Sequence, residues 1–125
     1  MSNFLLNLKK DKVYLTDFGL SKKYIKEATY HFCWTCEFKD EKTALDIYNT
    51  YKQYIDHELT AFFGYAPLHI ATKKEYLTIV KLLLQNGADI NIKDYKKRIP
   101  LYYARIKRNT ELIRLLIPYH QHTEV

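Results

Sequence analysis

Two stretches of the chain repeat one another at an offset of 33 residues. "APLHIATKKEYLTIVKLLLQNGADINIKDYKK" and "IPLYYARIKRNTELIRLLIPYHQ" align so that Pro67 falls on Pro100, Leu68 on Leu101, Ala71 on Ala104, Ile79 on Leu112, Val80 on Ile113, Leu82 on Leu115 and Leu83 on Leu116. A fixed period of this length makes each copy one supersecondary unit that cannot bury its apolar face alone, so about three stacked units are expected. Pro67 and Pro100 suit the first turn of a helix, where a missing N–H costs nothing. Ala71 and Ala104 are small enough to let paired helices approach. Leu77, Val80, Leu83 and Leu84 recur at helical spacing and predict one apolar face. Gly87 then supplies a left-handed residue to end the second helix.

The period and its contents resemble the ankyrin repeat, whose signature is T-P-L-H-x-A followed by two antiparallel helices and a β-turn. Pro67 to Asp94 carries the resemblance most fully, including "NGADIN" at Asn86–Asn91. It implies a mainly α protein: a short stack of antiparallel helix pairs over 61–125, with residues 1–60 as an atypical N-terminal helical cap in the same single domain. Departures matter. Thr is replaced by Ala66 and Ile99, His69 becomes Tyr102 in the second copy, and Lys97 and Arg108 stand where glycines are usual. The hydrogen bonds of the Thr and His are therefore expected to be weakened or lost, and the hairpin turn after Asp94 is less firmly implied. Pro118 is expected to stop the last helix.

Residues 1–60 show no clean repeat. "SKKYIKEATYHFCWTCEF" predicts a helix with Tyr24, Ala28, His31 and Cys36 facing inward. "EKTALDIYNTYKQYIDHEL" keeps Leu45, Tyr48, Tyr51 or Lys52, and Ile55 at helical spacing. Its "KTALDIY" resembles the opening of a degenerate repeat helix with Ala44 in the proline position, yet Ala44 lies ten residues short of the period, so either a helix is truncated or the whole segment is one longer helix unrelated to the repeat. The pair would cover the apolar end of the stack. "FLLNL" and "VYLTDF" around "KKDK" suggest a short β-hairpin.

Charge is unevenly placed. Residues 1–60 hold nine Lys/Arg and nine Asp/Glu, whereas 61–125 hold eleven against five, so the net charge of +6 belongs to the second half. No apolar run approaches the roughly 18 residues of a membrane span, and the start lacks a basic, apolar, small-residue leader pattern. With two cysteines and no disulfide framework, a reducing, cytoplasmic setting is expected, or the cytosol of a host if the protein is a delivered effector.

Motifs of catalysis do not assemble. "VYLTDFGLSKK" echoes the D-F-G loop of protein kinases, but no Gly-rich loop, strand lysine or H-R-D precedes Asp17, and a strand, a Gly19 turn and a helix capped by Ser21 account for it. Cys33 and Cys36 form a C-x-x-C pair without a second ligand cluster for zinc, and small buried thiols are the plainer reading. His69 is a structural side chain in the resembled pattern. His120 and His122 lack a third ligand, Asp40 and Glu41 sit in a polar run, and no phosphate-binding glycine loop occurs. No enzyme activity, metal or cofactor is expected.

What remains is a surface. Ankyrin stacks present turn tips and the first helix of each pair as a concave face. Carried over, that face offers Phe62, Phe63, Tyr65, Lys73 and Lys74 from the first copy and Lys93, Tyr95, Lys96, Arg98, Ile106 and Lys107 from the second. Rings interleaved with cations suit an acidic protein surface. The resemblance thus implies a protein–protein interaction module, acting as a stoichiometric inhibitor or adaptor such as an immunity protein, antitoxin or host-directed effector. A basic nucleic-acid-binding protein, with tyrosines stacking on bases, is the alternative.

Overall fold

The computed structural model describes residues 20–117, with side chains from Tyr24 onward. The expected hairpin before Asp17, and Pro118, His120 and His122, lie outside the described residues.

Helix α1, Leu20–Phe38, is built by Ala28, Phe32 and Cys36 on one buried stripe with Thr29, Cys33 and Thr35 beside it. Its buried hydroxyls are satisfied locally: Thr29 Oγ1 donates to the Ile25 carbonyl at 2.7 Å and Thr35 Oγ1 to that of His31 at 2.8 Å. Ser21 falls inside this helix rather than at its cap, because the helix already begins at Leu20. Helix α2, Glu41–Tyr51, starts where Asp40 accepts from the Thr43 N–H at 2.9 Å. It buries Ala44, Tyr48 and Tyr51, with the Tyr48 ring 5.3 Å from Phe32.

Two expectations for this half need correction. The helix does not run on to Leu59: after Tyr51 a single 3₁₀ turn, Lys52–Tyr54, ends it, and Asp56 N–H is captured by Thr29 Oγ1 of α1 at 2.8 Å. Nor is "KTALDIY" the first helix of a unit. It is α1 that lies along the first helix of the next pair, while α2 packs on α1.

Helices α3, Pro67–Lys73, and α4, Leu77–Gln85, form the next pair, and α5, Pro100–Lys107, and α6, Thr110–Leu116, the last. Both prolines open their helices as read from the sequence. Helix α3 packs against both α1 and α5, and α4 against α6, so the units stack first helix on first helix and second on second. Ala71 and Ala104 are fully buried where this stacking brings backbones together. The buried face of α4 is Ile79, Val80 and Leu83; Leu77 and Leu84 of the expected stripe are only half-buried, Leu77 because it borders an open hollow beside α6.

Three helices close in the same way. The N–H of Tyr76 reaches the Ala71 carbonyl at 2.9 Å and Glu75 reaches Thr72 at 3.0 Å; Ala88 reaches Leu83 at 2.9 Å and Gly87 reaches Leu84 at 3.2 Å; Asn109 reaches Ala104 at 3.2 Å and Arg108 reaches Arg105 at 3.1 Å. This pair of bonds needs a left-handed residue. Gly87 supplies it with φ 94°, but Glu75 and Arg108, one period apart, adopt it as non-glycines at 60° and 56°. The buried residues of all three pairs join one continuous cluster from Ala28 to Leu116, in which each fully buried Leu, Ile or Phe contributes about 1.5–3 kcal/mol.

Candidate functional site

The turn tips before α3 and α5 are drawn together by backbone. Tyr95 N–H donates to the Gly64 carbonyl at 3.0 Å, so the second tip is seated on the first. Gly64 has φ 85°, and a Cβ there would lie 2.5 Å from that of Tyr95. Only glycine fits both the turn and the approach. The second tip is closed by Asp94: its N–H donates to the Arg98 carbonyl at 3.0 Å, and its Oδ1 accepts from Lys96 and Arg98 N–H, each at 2.9 Å. Its Oδ2 accepts from the Tyr103 hydroxyl. Burial pushes this carboxyl up, but the Tyr103 hydroxyl and the two backbone N–H groups outweigh it and hold it below the usual carboxylate range. The turn after Asp94 is thus formed and fully bonded, with Lys97 taking the left-handed place at φ 62°.

His69 fastens the second tip from below. Its Nδ1 accepts from the Ala66 N–H at 3.1 Å, so the proton sits on Nε2, which donates to the Arg98 carbonyl at 2.9 Å. Burial holds its pKa below the ordinary value, and the Arg98 carbonyl and Asp94 only partly oppose this. The first copy therefore keeps the histidine bonds that the sequence led one to expect weakened. Tyr102, one period on, meets no following tip among the described residues and lies 40% exposed.

On this frame the rings and cations converge. Tyr65 stands edge-on to Tyr95 at 5.4 Å and to Tyr103 at 6.0 Å. Lys73 Nζ lies 4.2 Å from the Tyr65 ring and 5.6 Å from that of Tyr103. Lys96 lies 5.4 Å over Tyr95, and the Arg98 guanidinium 4.3 Å over Tyr102. Phe63, Tyr95 and Ile106 are 69%, 56% and 57% exposed, and Lys93, Lys96 and Lys107 are exposed beside them.

Two expected members stand apart. Phe62 is 3% exposed, its ring 5.2 Å from Tyr30 of α1; it packs the junction with the first half and is no surface group. Lys74 caps α3 half-buried, close enough to Cys36 on α1 for its charge to act on that thiol. Sequence reasoning missed Tyr102 and Tyr103. The signal was present in the Tyr-Tyr pair at the His position, where one ring must turn inward to Asp94 and the other outward.

Elsewhere the chemistry is sparse. No group of three His, Cys, Asp or Glu side chains among the described residues could hold a metal. Cys33 and Cys36 are free and buried, and burial pushes both thiols up. An open hollow of about 250 Å³ between α4 and α6 is lined by Leu77, Lys81, Glu111, Arg114 and Leu115.

Residues 32–125 match the family model described as ankyrin repeats, three copies. The chain belongs to the ankyrin-repeat family. The ankyrin stack is a protein–protein interaction module. Among curated relatives, a putative ankyrin repeat protein of fowlpox virus is 50% identical over 46 residues, 37% of this chain and 24% of the relative. A putative ankyrin repeat protein of Rickettsia felis is 52% identical over 40 residues, 32% of this chain and 13% of its own length. The mouse protein phosphatase 1 regulatory subunit 12A is 43% identical over 54 residues, 43% of this chain and 5% of that protein. The matched ankyrin segment is thus a quarter or less of each of these three relatives. No described helix is long and apolar enough to cross a membrane.

Proposed function

We propose that this protein is a non-enzymatic binding module that docks an acidic protein surface on the face formed by its turn tips and the exposed side of α5, acting as a stoichiometric inhibitor or adaptor in the cytosol. One observation carries the reading: three cation–ring pairs, Lys73 with Tyr65, Lys96 with Tyr95 and Arg98 with Tyr102, lie on adjoining residues of one face. Rings held this way give rigid contact area at small entropic cost, while the cations steer an acidic partner and penalise a basic one. The nearby carboxylate, Asp94, spends its acceptors on the turn and on Tyr103, leaving the face positive. Phe63, Ile106, Lys93 and Lys107 form its margin.

The regulatory character agrees with one relative, whose name marks it as a phosphatase regulatory subunit. The test is a nuclease-treated pull-down from the native lysate with the wild type and with the Lys96→Glu, Lys97→Glu, Arg98→Glu variant, both shown folded by circular dichroism. The reading expects one acidic protein partner held by the wild type and lost by the variant. A partner retained by the variant contradicts it, and recovery of nucleic acid alone, when nuclease is omitted, gives the site to the nucleic-acid reading.

A further inference from the structure

Within that face one cation differs from the rest. Lys96 and Arg98 each lie over a ring of their own unit, whereas Lys73, half-buried as Arg98 is, lies between the rings of Tyr65 and Tyr103, which belong to successive units. Among the described residues no carboxylate pairs with it. Asp94, the acid bonded to Tyr103, has both oxygens engaged, one by two backbone N–H groups and the other by that hydroxyl. The side chain is therefore half-buried without a counter-ion among the described residues. Such a group gains most from an incoming anion, because little solvent remains to be displaced and the surrounding medium screens weakly.

The phenols around it are set for the same purpose. Tyr103 has committed its hydroxyl to Asp94, whereas the side chains of Tyr95 and Lys73 converge on the Tyr65 oxygen. Burial alone would raise the Tyr65 phenol; the neighbouring Tyr95 and Lys73 side chains outweigh it and hold its pKa below the ordinary tyrosine value. The surroundings of that oxygen favour negative charge. We propose that the Lys73 ammonium, with the Tyr65 and Tyr95 hydroxyls, forms a carboxylate subsite that receives one aspartate or glutamate side chain of the partner. This rests on reading the face as a dock for an acidic protein, and adds where the partner's anchoring residue sits.

The test uses the full chain and a capped oligoglutamate peptide, with oligoglutamine as its uncharged counterpart, followed by nuclear magnetic resonance. Oligoglutamate should shift the Tyr65 and Tyr95 ring signals and the Lys73 side-chain signal saturably, and oligoglutamine should not. Lys73→Met, which keeps the stem and removes the charge, should weaken binding about tenfold or more. Tyr65→Phe, which keeps the ring and its packing, should weaken it severalfold and guards against a folding defect in the first variant. Shifts confined to Lys96, Lys97 and Arg98, at full affinity in Lys73→Met, overturn the subsite and leave the acidic-partner reading standing. No response to oligoglutamate anywhere on this face overturns both.

Discussion

His69 Nε2 donates to the Arg98 carbonyl across 2.9 Å, so one imidazole in the third helix holds the tip that carries Tyr95, Lys96 and Arg98. The other nitrogen of the ring accepts from Ala66. Replacing His69 by Ala removes both bonds and strands a buried N–H and a carbonyl. The expected loss is about 2–3 kcal/mol, read as a lower urea midpoint with an unchanged slope. Nuclear magnetic resonance of the variant should also show the tip at 94–98 disturbed more than α1.

Acid should weaken the fold earlier than carboxylates alone would. Burial holds His31, His57 and His69 below their ordinary value near 6.5. A depressed histidine binds protons less readily folded than unfolded, so stability is full above pH 6.5 and falls as pH drops below it. Asp94, held low, adds its own loss only as pH falls through the carboxylate range. Urea midpoints at pH 7 and pH 5 should differ in that direction, and His69→Gln should reduce the difference.

Gly64 and Gly87 both have positive φ, yet their replacements should not cost the same. At Gly87 a Cβ meets open space, so Gly87→Ala carries the backbone term alone, about 1 kcal/mol. At Gly64 it meets Tyr95 at 2.5 Å as well, and Gly64→Ala should cost about 2 kcal/mol or more while splaying the two tips. Denaturant melts of the two variants decide the order.

The cysteine pair should be inert in the native state. Cys33 and Cys36 are fully buried and burial raises both thiols, so an aromatic disulfide reagent should react no faster than the protein opens, and completely once urea unfolds it. Rapid labelling of the folded chain would contradict the packing of α1.

The second half was legible because its residues keep the period that its backbone uses. Pro67 and Pro100 open helices, and Gly64 with Lys97 and Glu75 with Arg108 take left-handed turns one period apart. The first half hid its role because it performs the stacking with other residues. Helix α1 packs on α3 without a Pro-Leu-His start, and α2 stops where Thr29 captures Asp56, a bond that no spacing announces. In the site, exposure separated neighbours that sequence treats alike. Phe62 turned into the junction while Phe63, with φ 52°, turned out.

The most direct test of the account compares two faces. With the partner in hand, its affinity should be measured calorimetrically for the wild type, for the Lys96→Glu, Lys97→Glu, Arg98→Glu variant, and for Lys81→Glu, Arg114→Glu beside the hollow between α4 and α6. The account predicts a loss of about 100-fold or more at the tips and a change within about threefold at the outer helices. Equal losses, or a loss only at the outer helices, would place the contact surface elsewhere on the stack.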